Sequence, residues 1–269
     1  MIEKTFYFGA GLPRSASTLT ACLLNQNDKL YATPTSPLLD LLYLNETEWR
    51  NTPSVIASGH DQSQLLRLSE SIINGCWQHV PANTIIDRHR AWGRNLPVIN
   101  QVFGKKAKMI ISVRDITEII ASFFTLLKNS SQPVTYIDKM LIERGKFLTD
   151  YNRAECLWND FIKDTWESFR TGYSYDKTCL LIVEYNDLMN DPRHELNRIY
   201  DFLEMDRYTH NFDHIESLFQ DDDLAAWGIS GLHTIRPKFG RISKPAIEII
   251  GDQLYEKYHN MHLEFWRDQ

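Results

Sequence analysis

The sequence contains no apolar run approaching the eighteen or so residues that cross a bilayer. Its first residues, MIEKTFYFGAG, carry an acid and pass straight into a strand-like run, which leaves no basic n-region or apolar h-region. Cysteine is scarce. Cys22, Cys76, Cys156 and Cys179 lie far apart and make no CxxC pair and no Cys/His cluster at metal-ligand spacing, so they read as reduced thiols and not as a disulfide framework or a zinc site. Basic charge is not in excess either: 29 Lys and Arg against 35 Asp and Glu give a net charge of −6, which excludes the positive field of a general nucleic-acid binder. An anionic ligand must then be caught by local positive groups. No internal repeat, low-complexity segment or Pro/Gly/Ser-rich linker divides the chain. The expectation is a cytoplasmic protein with no membrane span, built as one domain over residues 1–269.

Short runs that are apolar on both parities recur at Thr5–Gly9, Thr84–Asp87, Lys108–Val113 and Thr178–Glu184, the pattern of strands buried on both faces. Between them, helical spacing covers Ser17–Asn25, Gln62–His79, Leu96–Phe103, Thr117–Lys128, Ala154–Thr171 and Arg193–Leu203. This alternation predicts an α/β fold, a three-layer sandwich around a central parallel sheet, with ligands beyond the carboxyl ends of the strands. Residues 129–145 and 208–235 fit it poorly and read as irregular segments over the site. The acidic triplet Asp221, Asp222 and Asp223 reads as a solvated turn, and no metal site is expected. The lysines at 105, 106 and 108 precede a strand at the opposite edge and read the same way.

The stretch FYFGAGLPRSAST, residues 6–18, runs from a strand through a glycine pair into hydroxyl residues opening a helix, as a phosphate cradle does. Against the P-loop frame GxxxxGK[ST] it matches at Gly11 and Thr18 but has Ala16 for the second glycine and Ser17 for the lysine. The amides of Ser15 to Thr18 would still converge at a helix N-terminus, with hydroxyls from Ser15, Ser17 and Thr18 and the planar fork of Arg14. Further on, MIISVRDITEIIAS ends a strand in Arg114; Asp115 and Glu118 form a D-x-x-E capping box, and Ser122 follows two turns later, where it and Arg114 can clamp a second phosphate.

The first loop resembles the 5′-phosphosulfate loop of sulfotransferases that use 3′-phosphoadenosine 5′-phosphosulfate (PAPS), in which a strand is followed by GLPRS[GA][ST]T and a helix. Arg114 and Ser122 resemble the same family's 3′-phosphate site. The segment LIVEYNDLMNDPRHELNRIYDFL is similar to its strand–YEDL–DP–helix stretch and implies Tyr185 near the nucleotide. SGLHTIRPKFGRISK resembles the tail of tyrosylprotein sulfotransferases, closest in motif order, and implies Ser230 and Lys244 over the nucleotide; because it is one residue shorter, Arg236 and Arg241 are kept as phosphate ligands too. The implied enzyme moves a sulfonate from PAPS to a hydroxyl or amine of a small-molecule, carbohydrate or peptide acceptor, releasing adenosine 3′,5′-bisphosphate, and family members often form homodimers.

Sulfuryl transfer needs a proton acceptor, positive charge on the moving sulfonate and stabilisation of the departing phosphate. In TIIDRHRAWGR a strand end delivers Asp87, Arg88, His89 and Arg90. Arg88 stands where the tyrosylprotein enzymes place a lysine on the transferring group, and His89 follows the strand as the base histidine of cytosolic sulfotransferases does. Arg14 serves the leaving phosphate. Where the tyrosylprotein family has a glutamate base this chain has Thr35, so His89, Asp40 and His60 all stand as candidate bases. Two rivals stay open: a small-metabolite kinase of the P-loop type, and a nucleotide-binding relative without catalysis.

Overall fold

The computed structural model describes residues 4–267 except 60, 131, 218–221 and 241–243. Five strands, β1 (Thr5–Gly11), β2 (Leu30–Ala32), β3 (Thr84–Arg88), β4 (Met109–Val113) and β5 (Leu180–Glu184), form one sheet in the order β2-β3-β1-β4-β5. Every pairing is parallel, with Gly9 opposite Arg88 and Gly11 opposite Ser112. The central strand β1 therefore ends between β3 and β4. The three segments singled out above leave the sheet side by side at the point where strand order reverses, which is where such sheets bind ligands.

Alternation along the strands assigns the two faces. Phe6, Phe8, Ala10, Ile85, Met109, Ile111 and Val113 enter one apolar cluster, while Ile86, Ile110 and Val183 enter the other. The expected three layers follow directly. On the second face lies α1 (Ser17–Leu24). The later helices, in chain order, are α2 (Leu38–Asn51), α3 (Pro53–Ser58), α4 (Gln62–Cys76), α5 (Leu96–Phe103), α6 (Ile116–Lys128), α7 (Tyr136–Glu143), α8 (Asp150–Leu157), α9 (Lys163–Asp176), α10 (Tyr185–Asn190), α11 (Pro192–Leu203), α12 (Asp223–Trp227) and α13 (Ala246–His259). Leu196, Ile199 and Leu203 of α11 pack beside α1 in the second cluster, whereas α5, α6, α8, α9 and α13 cover the first.

Several expectations change. The strand β2 is three residues long, too short for a periodic signal, and the predicted helix 154–171 is interrupted by a π-helical turn at Trp158–Ile162. The segment 129–145 contains α7, whose N-terminus has a full capping box between Thr135 and Asp138. The acidic triplet is not a solvated turn: Asp222 caps α12 through the Ala225 amide and Asp223 is buried, while Asp221 lies outside the described residues. No D-x-x-E box forms at α6, because Asp115 accepts from the Thr117 amide but Glu118 turns to Arg114. Lys106 and Lys108 are ion-paired, with Asp176 and Glu204.

Candidate active site

A cavity of about 1330 Å³ opens at the carboxyl edge of the sheet. Its floor is the loop after β1. Gly11 sits at φ 132°, and a Cβ there would come within 2.1 Å of the Ser112 carbonyl, so only glycine lets β1 pass this close to β4. Gly9 has its own reason: a Cβ would press to 3.3 Å on Cγ of Arg88, whose stem lies across it. Beyond the turn, Arg14 and Ala16 take φ of 59° and 64°, with Ser15 between them at negative φ. Such alternation gathers successive N–H groups into an anion-binding nest, against a strain of about 1–2 kcal/mol at each left-handed residue. The first backbone bond of α1 runs from the Thr20 amide to the Ala16 carbonyl (2.9 Å), leaving Ser17, Thr18 and Leu19 as orphan donors at the cavity floor. Ser17 and Thr18, both hydroxyl residues, line the same cavity. Ser15 does not, because its hydroxyl donates to the Leu12 carbonyl at 2.6 Å and braces the loop.

The arginines are arranged differently from the sequence expectation. Arg14 Nε donates to Ser122 Oγ at 3.1 Å, so Ser122 partners Arg14, and Arg14 Nη1 donates to the Leu232 carbonyl. Arg114 is buried; its Nε pairs with Glu118 at 2.9 Å, its Nη1 donates to the Arg14 carbonyl at 3.0 Å, and its plane lies 3.7 Å from the Tyr185 ring centre. Arg114 thus holds the phosphate loop while Tyr185 holds Arg114. Burial and the neighbouring Arg114 charge bring Arg14 down to about 10. Arg88 goes to about 9, through burial and then Arg90. Its Nη1 donates to the Pro34 carbonyl at 2.5 Å, but its buried Nε has no partner and no carboxylate pairs with it among the described residues. Arg90 lines the cavity beside it, also lowered by burial. An anion in this cavity would relieve the cost of desolvating these half-buried cations.

His89 caps the 3₁₀ turn Arg90–Asn95: its Nδ1 accepts the Ala91 amide at 3.1 Å, and its Nε2 lies 3.4 Å from Oδ1 of Asp40 in the first turn of α2. A neutral ring that accepts at Nδ1 carries its proton on Nε2. Its pKa is lowered from 6.5, chiefly by burial with help from the Arg90 and Arg88 charges, against Asp40, which raises it. The unfolded chain therefore takes up this proton first, and stability falls as pH drops through 6.5 towards the folded value, then levels. His89→Asn, which keeps a cap for the Ala91 amide, should show a smaller loss of urea midpoint between neutral and mildly acidic pH than the wild type does.

The segment after α12 covers the cavity. His233 accepts nothing from Asp223; its amide donates to Oδ2 (2.9 Å) and its Nδ1 meets Oδ1 at 2.5 Å. Thr35, Arg236 and Lys244 line the cavity, while Ser230 is exposed and does not; Arg241 and His60 lie outside the described residues. The Asp223–His233 pair was not anticipated, since no local spacing rule joins an acid to a histidine ten residues on. Among the described residues no group of three or more His, Cys, Asp or Glu could hold a metal ion. No helix among them is long and apolar enough to cross a membrane.

The model of the sulfotransferase family matches residues 7–210. The chain belongs to the sulfotransferase family. Two solved structures share its fold: the sulfotransferase domain from the curacin biosynthetic pathway, with 14% identity, 94% of this chain and 97% of that one covered and a TM-score of 0.56, and sulfotransferase STF9 from Mycobacterium avium, with 13% identity, 98% and 77% covered and a TM-score of 0.51. At such identities the likeness extends to the fold alone. No curated protein matches in sequence. The family's activity, sulfonate transfer from PAPS, is the one expected from the two phosphate motifs, and the kinase rival is not favoured. The cavity of this sulfotransferase fits such a donor: a nest at one strand end, and at the neighbouring ends a half-buried Arg88 whose Nε has no partner among the described residues and an Arg114 fixed against Tyr185.

Proposed function

We propose that Arg14, the nest amides and the hydroxyls of Ser17 and Thr18 hold the 5′-phosphosulfate of PAPS, that Arg114 with Tyr185 marks the 3′-phosphate and adenosine end, and that Arg88 meets the transferring sulfonate. The observation that carries this reading is the adjacency of the ends of β3, β1 and β4, which delivers three arginines to one cavity in a chain of net negative charge. Ser122 acts by orienting Arg14, and Arg236 and Lys244 close from the covering segment. Ser17 in the lysine position suits a donor with no γ-phosphate to reach. The acceptor is a hydroxyl or amine of a small molecule, carbohydrate or peptide. A single domain over 1–269 and a homodimer belong to the same reading. So does the cytoplasm, supported by four free cysteines of which Cys22, Cys156 and Cys179 are buried.

Titration calorimetry with adenosine 3′,5′-bisphosphate tests it. Charge-assisted hydrogen bonds contribute about 1.5–3 kcal/mol, so Arg114→Ala should weaken binding roughly 10- to 150-fold. Absence of binding to the wild type, or equal binding by Arg114→Ala, overturns the two-phosphate reading; tight Mg²⁺-dependent ATP binding would favour a kinase.

A further inference from the structure

Helix α6 gives the cavity one continuous stripe, Glu118, Ala121, Ser122, Thr125, Leu126 and Asn129, at the spacing of a single helix face. The order along that stripe is informative. Glu118 binds Arg114, at the end assigned to the 3′-phosphate, and one turn on Ser122 binds Arg14, assigned to the leaving phosphate. Leu126 comes a further turn on, about 6 Å along the axis. In an in-line transfer the acceptor lies across the sulfur from the leaving phosphate, which along this stripe is the Leu126 side.

The lining on that side is aromatic. Phe123 and Tyr136 line the cavity and both meet the Phe161 ring, at 6.3 Å and 6.4 Å between centroids, the second pair edge to face at 86°. Met140, one turn after Tyr136 on α7, and Ile249 of α13 line the cavity too. Two features hold the rings in place. Phe161 belongs to the π-helical turn, in which the Lys163 amide reaches back five residues to the Trp158 carbonyl, and such turns are rare and frequent at functional sites. Tyr136 is backed by Gly228 at the end of α12, where a Cβ would come within 2.5 Å of the ring. The polar side chains nearby are engaged: Asp160 by Arg144 at 2.6 Å, Asp164 by Arg94 at 2.5 Å, and the hydroxyls of Thr125 and Thr165 as donors to the Ala121 and Ile162 carbonyls. Asn129 and Glu248, which also line the cavity, are exposed to solvent. A sugar needs several convergent polar groups to hold it, whereas an apolar ring needs rings and aliphatic walls.

We infer that the acceptor is an aromatic alcohol, its ring against Phe161, Tyr136 and Phe123 and its hydroxyl towards the sulfonate, and that Phe161 determines this specificity. The inference rests on the sulfonate-transfer reading and narrows its acceptor. The hydroxyl oxygen bonds to sulfur and its proton passes to solvent; the bond from sulfur to the 5′-phosphate oxygen breaks, and its electron pair stays on the phosphate. The products are the aryl sulfate ester and adenosine 3′,5′-bisphosphate.

The test uses the full chain, PAPS as donor, 2-naphthol and D-glucosamine as acceptor probes, and calorimetry with the bisphosphate. The wild type should favour 2-naphthol at least 100-fold in kcat/KM. Phe161→Ala should cut that preference about 10- to 100-fold, chiefly through KM for 2-naphthol, with the bisphosphate Kd unchanged. A merely structural role would lower both acceptors together and leave their ratio alone. Phe161→Leu, which keeps apolar bulk without a ring, is the second variant should the first fail to fold, and should cut the preference about 3- to 10-fold. A wild type that binds the bisphosphate but sulfonates 2-naphthol no faster than D-glucosamine, or a preference unchanged in the Phe161 variants, overturns the inference and leaves the donor reading standing. A wild type that does not bind the bisphosphate overturns the underlying reading instead.

Discussion

Arg88→Met is expected to fold at least as stably as the wild type and to lose about 10²- to 10³-fold in kcat, measured as sulfate release from PAPS. The two halves of this prediction have one cause. Arg88 is a half-buried cation whose Nε is buried without a partner and which faces a second arginine, Arg90, with no carboxylate paired to it among the described residues. Its Nη1 is anchored on the Pro34 carbonyl at 2.5 Å. Desolvating an unpaired guanidinium costs several kcal/mol, more than one hydrogen bond returns, so a methionine of similar reach should relieve the fold. The charge is held there against stability, over a glycine that makes room for its stem. On the proposed reading, what uses it is the sulfonate, which is negative and close during transfer. Adenosine 3′,5′-bisphosphate has no sulfonate, so its affinity should change far less than kcat. An Arg88→Met variant that is less stable and equally active would place Arg88 among structural residues.

The residue before it should behave in the opposite way. Asp87 is fully buried and accepts from Ser36 Oγ at 2.6 Å, Trp77 Nε1 at 2.9 Å and Trp92 Nε1 at 2.8 Å. Asp87→Ala strands three buried donors, each worth about 1–3 kcal/mol, so a loss of roughly 3–9 kcal/mol is expected in a denaturant titration. That is a large part of the 5–15 kcal/mol typical of a folded chain. Burial raises the Asp87 carboxyl above its ordinary 3.8 despite those three donors. The folded state therefore holds this proton more tightly than the unfolded one, and the contribution linked to its titration is largest below pH 3.8 and declines as pH rises through the folded value. Asp87 does not drive acid unfolding. A loss below about 1 kcal/mol on Asp87→Ala would mean that water replaces the carboxylate and that this contact does not tie the start of α2 and the end of α4 to β3.

Much of this was legible along the chain because it is local. Helix α5 occupies the span its spacing predicts, and β1, β3, β4 and β5 begin or end within two residues of their apolar runs. The loop from Gly11 to Thr18 could be read because a glycine turn, a helix start and hydroxyl donors act on their immediate neighbours. The same locality explains the misses. A three-residue β2 has no period to detect, and α13, with Gly251 at φ 76° breaking its middle, has half of one. Sequence spacing brought Arg114 and Ser122 together because they are two turns apart, and both do line the cavity, but it could not show what each one touches there. In the folded chain Ser122 bonds Arg14, 108 residues away, and Arg114 takes the nearer Glu118.

By itself, then, the sequence determined the parallel α/β framework, the phosphate loop that lacks a lysine, and the presence of arginines at two further strand ends. Tertiary structure alone decided what each of those charges touches. Strand order placed the three ends side by side, packing left the Arg88 Nε without a partner among the described residues, and the covering segment brought Asp223 to His233 while the 3₁₀ turn occupied His89. The physical reason is that a helix or a turn is selected by bonds between near neighbours, whereas a tautomer or an unpartnered cation depends on which distant groups packing leaves within about 3 Å.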